Sequence, residues 1–123
     1  MKKIVIGGQM DKQEIKDMVE KCAGGKFEVF VKNDLDAAMA MKSGAADYYL
    51  GACNTGGGGA LAMSLALLGT GVCETVSMPG KIMDEVDIRK SVQSGKKAFG
   101  FTAQHKEKVV PIIIDEISKV LGI

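Results

Sequence analysis

Short apolar runs alternate along this chain with amphipathic segments, and glycines separate most of them. Apolar residues at three- and four-residue spacing predict helices after each apolar run. Strands that alternate with helices are typical of a parallel sheet covered on both faces. We therefore predict an α/β fold, a three-layer αβα sandwich of the Rossmann or flavodoxin-like type, with a five-stranded parallel sheet in the order 2-1-3-4-5. The predicted strands are Ile4–Ile6, Phe27–Lys32, Tyr48–Cys53, Val72–Val76 and Ala98–Thr102.

Polar residues mark where several of the predicted helices begin. Asp11 is followed three residues later by Glu14, which predicts a capping box at the first helix. Asn33 opens the second helix in the same way. The last helix contains Pro111, which leaves two alternatives. Either the helix kinks at the proline, or residues 105–109 form a separate turn and the helix begins near Pro111.

The most distinctive stretch begins with the third predicted strand and continues through four glycines into the apolar segment Ala60–Leu68. A glycine turn between a strand and a helix leaves N–H groups unpaired, and the helix dipole favours an anion beside them. The first and third strands flank the point where the strand order reverses, where ligands bind in such sheets. We predict binding of a small phosphorylated or carboxylated metabolite by Gly8, Gln9, Asn54, Thr55, Gly56, Gly57 and Gly58.

Cys53 ends the third predicted strand at this turn and is the candidate catalytic residue, as a base or nucleophile. Burial as a small apolar side chain is the competing interpretation, because free cysteine is among the most buried residue types. We expect Cys53 to be the most reactive thiol of the chain. Cys22 is expected on the core face of the first helix, and Cys73 is expected inside a strand.

Composition excludes several classes of function. The 123 residues predict one domain, 1–123, and the net charge of +1 shows no basic excess for nucleic acid. No apolar run is long enough to cross a membrane. The three cysteines lack CxxC spacing, which favours reduced thiols in a cytoplasmic protein over a disulfide framework or a metal site. Nothing in the sequence requires a cofactor.

The apolar segment Ala60–Leu68 also bears on assembly, because only Ser64 interrupts its apolar character. A helix that is apolar on most sides needs cover from more than the sheet. We therefore expect a homo-oligomer, most simply a dimer.

Over most of its length the chain resembles the YhfU-like family of small bacterial proteins, whose function is uncharacterised. The resemblance rests on the opening Lys-Lys-Ile, on Phe27-Glu-Val-Phe30, on Ala37-Ala-Met39 and Lys42-Ser-Gly44, and above all on Asp47-Tyr-Tyr-x-Gly-Ala-Cys-Asn-Thr-Gly56. It implies a shared fold and site, and it implies no reaction.

A second, local resemblance is to the type B ribose-phosphate isomerases. The chain has Ala46-Asp47, five further residues, and then Cys53-Asn-Thr-Gly56-Gly-Gly58. The resemblance implies that Cys53 acts as a base beside a carbonyl and that the glycine turn holds an anionic oxygen. The chain departs from those enzymes after the first strand, where it has Gly8-Gln9-Met10 in place of Asp-His. A sugar-phosphate isomerase is therefore the alternative to a non-catalytic binding protein.

Overall fold

The computed structural model describes residues 1–54 and 61–123. Short strands and helices alternate along both parts, and two 3-10 segments, Thr70–Val72 and Ala103–His105, join them. The strands are β1 (Lys3–Gly8), β2 (Glu28–Val31), β3 (Tyr48–Cys53), β4 (Cys73–Thr75), β5 (Ser77–Met78), β6 (Lys81–Ile82) and β7 (Ala98–Thr102). The helices are α1 (Lys12–Ala23), α2 (Asp34–Ser43), α3 (Ala62–Leu68), α4 (Glu85–Gln93) and α5 (Lys106–Leu121).

Five of the strands form one parallel sheet in the order β2-β1-β3-β7-β4. The predicted five-stranded parallel sheet is confirmed, but the order 2-1-3-4-5 is wrong, and the flavodoxin-like order with it, because the last two predicted strands exchange places. The physical reason lies in their side chains. All of β7 is buried, whereas β4 is three residues long and carries the partly exposed Glu74. A buried apolar strand belongs inside a parallel sheet, and a short charged strand belongs at its edge.

The helices divide between the two faces of the sheet. The face covered by α1, α4 and α5, called the front face here, contains the larger core, with Ile, Val and Phe side chains such as Ile6, Phe99 and Ile113. The back face is covered by α2 and α3 and contains a smaller core that includes Val5, Tyr49 and Leu61. Connections that run toward the β2 edge of the sheet cross the front face, and those that run toward the β4 edge cross the back face. All of them therefore have the same hand, as parallel sheets require.

The helix ends agree only partly with the sequence predictions. Asn33 caps α2, since its side-chain oxygen accepts from the N–H of Asp36 at 2.8 Å. Asp11 precedes α1 but makes no capping hydrogen bond, so the predicted capping box is wrong. Its carboxylate pairs with Lys106 instead. Pro111 lies within the continuous helix α5, so the alternative in which the helix begins near Pro111 is wrong.

Candidate functional site

The carboxyl ends of three neighbouring strands define the candidate site. β3 lies between β1 and β7, and the chain leaves β3 toward the back face. From β1 and β7 it leaves toward the front face. The path of the chain therefore reverses on both sides of β3, and such reversals open crevices at the ends of parallel strands. The predicted order had a single reversal there, between the first and third strands.

A cavity of about 400 Å³ lies at this edge of the sheet. It is lined by Met10 and Asp11 after β1, Asn54 after β3, Thr102, Ala103 and Gln104 at the end of β7, Lys106 at the start of α5, and Pro79 from the β5–β6 turn. The size suits a small metabolite. Its polar lining combines amide, hydroxyl and charged groups.

Gly8 and Gln9, both predicted to bind the anion, lie at the end of β1. The Gly8 N–H donates to Asp34 Oδ1 at 3.1 Å, and the Gln9 N–H donates to the Ala52 carbonyl at 2.8 Å. Gly8 has a φ of +75°, and a Cβ there would lie 2.6 Å from the Ala52 nitrogen. Both N–H groups are therefore used by acceptors within the protein.

The other predicted site residues follow β3. Cys53 is the last residue of that strand and is buried, and Asn54 is exposed beside it. Thr55, Gly56, Gly57 and Gly58 lie outside the described residues. Cys73 lies in β4 as expected, but Cys22 is exposed on α1, so its expected place on the core face is wrong.

Lys106 supplies the ammonium group at the cavity, and carboxylates surround it. Its Nζ lies 3.2 Å from Asp11, 3.5 Å from Glu14 and 3.4 Å from Glu107. The hydrogen bond to Asp11 is the main cause that raises the pKa of Lys106. Asp11 has a φ of 53° and is the one non-glycine residue with positive φ in the described part of the chain. Backbone strain of this kind is concentrated at functional sites.

Tyr49 and Asp34 are site residues that the sequence analysis missed. The Tyr49 hydroxyl donates to Asp34 Oδ1 at 2.5 Å, and the same oxygen accepts from the Gly8 N–H. Burial first, and the bond to Asp34 second, raise the pKa of Tyr49 far above its ordinary value. The phenol therefore stays neutral at physiological pH and acts as a hydrogen-bond donor to Asp34. A tyrosine on a buried strand, two residues before a glycine, was the sequence signal for it.

His105 and Ser77 were also missed. His105 Nδ1 lies 3.0 Å from the Ser77 hydroxyl, which also accepts from the Thr102 N–H at 3.0 Å. These bonds fix the β5–β6 hairpin to the end of β7. Pro79 in the turn of that hairpin therefore has a fixed place in the cavity wall.

Two kinds of feature were sought in the described ranges 1–54 and 61–123, namely clusters of metal-binding side chains and helices able to span a membrane. Within them, His, Cys, Asp and Glu side chains nowhere gather in groups of three that could hold a metal ion. None of the helices there has the length and apolarity needed to cross a bilayer.

Comparison with known proteins identifies relatives along almost the whole chain. A family model described as "Protein of unknown function DUF2620" matches residues 2–117. The chain is 43% identical over 117 residues to "Uncharacterized protein YhfU" of Escherichia coli K12, covering 95% of this chain and 99% of that protein. The protein of the same name from Shigella flexneri gives the same values. The resemblance to the YhfU-like family is confirmed. No solved structure gives a significant match.

Proposed function

The chain belongs to the DUF2620 family of proteins of unknown function, and we propose that it binds a small anionic metabolite, phosphorylated or carboxylated, at the segment that follows β3. One observation carries the proposal. A cavity of about 400 Å³ lies at the carboxyl ends of β1, β3 and β7, where the path of the chain reverses on both sides of β3. Open parallel sheets bind ligands at such reversals.

Glycine-rich sequence supports the anionic character of the ligand. The amides of Gly8 and Gln9 already donate to protein acceptors, and Lys106 is neutralised by carboxylates. The proposal therefore takes its N–H donors from the glycine-rich sequence of residues 54–58, which follows β3 in the chain. Glycines let a ligand approach the backbone closely, and backbone amides are good partners for phosphate and carboxylate oxygens.

Thermal unfolding in the presence of inorganic phosphate and n-propyl phosphate tests the proposal. Either anion should raise the melting temperature of the wild type, because a ligand that binds only the folded state stabilises it. Gly57→Val should abolish the increase, since a branched side chain blocks access to the amides. The matched control is Gly71→Val, because a Cβ at Gly71 meets nothing within 4 Å. Equal increases in both variants would reject the proposal.

A second candidate function is an enzyme of the sugar-phosphate isomerase kind with Cys53 as base. The observation that favours it is the place of Cys53 at the end of β3, where it pairs in register with Thr102 and lies four residues after Tyr49 on the same face of the sheet. The thiolate would take the proton from the carbon next to a carbonyl. The resulting enediolate would take a proton from the thiol at the neighbouring carbon, while the hydroxyl proton passes from the second oxygen to the first, so that the carbonyl moves by one carbon and no oxidant is needed. The thiol proton exchanges with solvent between the two transfers.

Turnover separates this enzyme from a non-catalytic binding protein. Wild-type protein and Cys53→Ser are incubated in deuterated water with ribose 5-phosphate and with glucose 6-phosphate. An isomerase incorporates deuterium next to the carbonyl, and the serine variant loses that activity because its hydroxyl is a far weaker base near neutral pH. Equal exchange in the two proteins, or none in the wild type, rejects the enzyme.

We further propose that a second copy of the chain covers the outer surface of α2 and α3. Leu35 and Met39 on α2 are 51% and 50% exposed, and Met63 and Leu65 on α3 are 39% and 37% exposed. Helix α3 carries no charged residue. Sedimentation should show a dimer for the wild type and a monomer for Leu65→Glu. A monomeric wild type at micromolar concentration would reject the dimer.

A further inference from the structure

The parallel sheet has an open edge at β4, on the side away from β7, called the outer edge here. Among the described strands, β4 pairs with β7 alone. The Val76 N–H donates to the Gly100 carbonyl at 2.9 Å, so the alternation of the strand turns the N–H and C=O of Thr75 the opposite way. Neither group has a backbone partner in the ranges 1–54 and 61–123. Thr75 is only half-buried, so another chain can reach this edge.

A second cavity, of about 380 Å³, lies directly beside the outer edge. Thr75 belongs to its wall, and so do the apolar residues Val76, Ile82 and Met83. Val76 is buried in the larger core, and Ile82 and Met83 pack against that core. The Met83 N–H donates to the Val76 carbonyl at 2.9 Å, which fixes the far wall of the cavity to the end of β4. The cavity is therefore an apolar pocket next to an unpaired strand.

Carboxylates dominate the charge at the rim of this pocket. Asp84 immediately precedes α4 and makes no capping hydrogen bond with its side chain, and Asp87 lies in the first turn of that helix. Both residues are exposed, and neither carboxylate has a hydrogen bond or ion pair within the part of the chain that the structure describes. Lys81 is the one cation in the lining. The helix dipole favours acidic residues here, and the charge that they leave on the rim is complementary to lysine or arginine.

We infer that the outer edge of β4 and the pocket beside it bind an extended segment of a partner protein, in which an apolar residue lies two positions from a lysine or arginine. Such a segment adds to the sheet as a strand, through hydrogen bonds to the N–H and C=O of Thr75. Residues two positions apart in a strand share a face. The apolar side chain therefore enters the pocket while the basic side chain meets Asp84 and Asp87.

This surface is separate from the proposed metabolite site. The pocket shares no lining residue with the cavity at the carboxyl ends of β1, β3 and β7. The inference therefore does not rest on the proposed function, and either one can fail alone.

Selection from a displayed library of random nine-residue peptides tests the inference. Peptides enriched on the wild-type protein should share an apolar residue two positions from a lysine or arginine. A synthetic peptide of the enriched sequence should bind more weakly as the salt concentration rises, because salt screens charges at an exposed rim. Absence of enriched peptides, or enriched peptides without this spacing, would overturn the inference.

Substitution of the carboxylates locates the bound peptide. The double variant Asp84→Asn with Asp87→Asn should bind it roughly tenfold more weakly or worse, because two charges opposite the basic side chain are lost. Asparagine is also a favoured residue at a helix N-terminus, so the variant should fold. Asp36→Asn, at an exposed acidic residue in the first turn of α2, is the matched control and should keep the wild-type affinity. Equal affinity in the double variant and the wild type would overturn the inference.

Backbone methylation of the peptide separates strand addition from simple attraction between charges. Each amide of the peptide is N-methylated in turn, and binding to the wild-type protein is measured by fluorescence polarisation. Affinity should be lost at alternate positions, because alternate N–H groups of a strand face its neighbour. Equal tolerance at all positions would overturn strand addition. This series uses wild-type protein, so it decides the question even if the double variant is unstable.

A second copy of the chain is the other occupant that these experiments detect. Sedimentation of the wild type and of the double variant should give the same oligomeric state, because the inferred partner is a different protein. Self-association of the wild type that the double variant loses, and that the selected peptide reverses, would assign this edge to copies of the chain and overturn the inference.

Discussion

The two faces of the sheet differ in what their side chains do. The front face is filled by large aliphatic and aromatic residues such as Ile6, Phe101 and Ile114, all buried. The back face has small alanines on α2 and a row of three glycines that are register partners on β1, β3 and β7. Close-packed apolar groups stabilise a fold, whereas glycines inside strands weaken it. The front face should therefore contribute most of the free energy of folding, and the back face should contribute less of it near the candidate site.

The largest effect should come from a cavity in the front face. Phe101 is buried in β7, and Phe101→Ala should lower the free energy of unfolding by about 3–5 kcal/mol. Urea denaturation measures the change. Val86→Ala on α4 is the control, because Val86 is 62% exposed and should change the free energy by less than about 0.5 kcal/mol. Similar losses in both variants would contradict the assignment of the front face as the main core.

A smaller loss is expected at the start of the candidate site. Gly8→Ala forces positive φ on alanine and places its Cβ 2.6 Å from the Ala52 nitrogen. Gly25 has a φ of +84° but open space around it, so Gly25→Ala gives the backbone strain alone. Both should destabilise the fold by about 1–3 kcal/mol, with Gly8→Ala at the upper limit or beyond it. If the denaturation curves of the two variants coincide, the close contact between Gly8 and the Ala52 backbone costs nothing, and this prediction is wrong.

The sequence predicted the three inner strands β1, β3 and β7 well because each contains an apolar run that no charged residue interrupts. It failed on strand order because order depends on which strands are buried on both faces. The available signal was charge: β4 contains Glu74, whereas Ala98–Thr102 contains no charged residue. At the site, Cys53 and Asn54 were found because they flank the glycines. Thr102 was not, because only the register of the sheet places a residue from β7 beside Cys53 on β3.

The front face also contains an ion network between α4 and α5, in which Arg89 and Gln93 contact Glu116. The stability that this network contributes should depend on pH. The Gln93 amide first, and the Arg89 guanidinium second, hold the pKa of Glu116 below its ordinary value of 4.5. The carboxylate therefore contributes stability that is complete above this ordinary value and is lost as the pH falls through the lowered one.

Glu116→Gln should accordingly be less stable than the wild type at neutral pH, and the difference should shrink as the pH falls below about 4.5. Denaturation midpoints measured across a pH series give the comparison. Glu85→Gln is the control, because the Glu85 side chain is 59% exposed and its pair with Arg89 is worth little. A difference between wild type and Glu116→Gln that stays constant down to the acid transition would contradict the lowered pKa.

The smallest perturbation is thiol labelling, which compares the two faces without any substitution. Cys22 on the front-side helix α1 is exposed, whereas Cys53 and Cys73 are buried. The sequence favoured Cys53 as the first thiol to react, and the burial of Cys53 reverses that expectation. Desolvation by neighbouring groups raises the pKa of Cys22 even though its side chain is exposed, so its labelling should accelerate as the pH rises, because only the thiolate reacts.

Alkylation with iodoacetamide, followed by peptide mapping, should therefore find Cys22 modified first and Cys53 protected as long as the chain is folded. Mild urea should release Cys53 and Cys73, since local opening exposes thiols that the native state covers. Phosphate should leave the rate at Cys22 unchanged, because that residue is distant in sequence and position from the carboxyl edge. Labelling of Cys53 as fast as Cys22 in the native protein would mean that the back face opens readily at the candidate site, and a thiol that opens to reagent is also open to substrate.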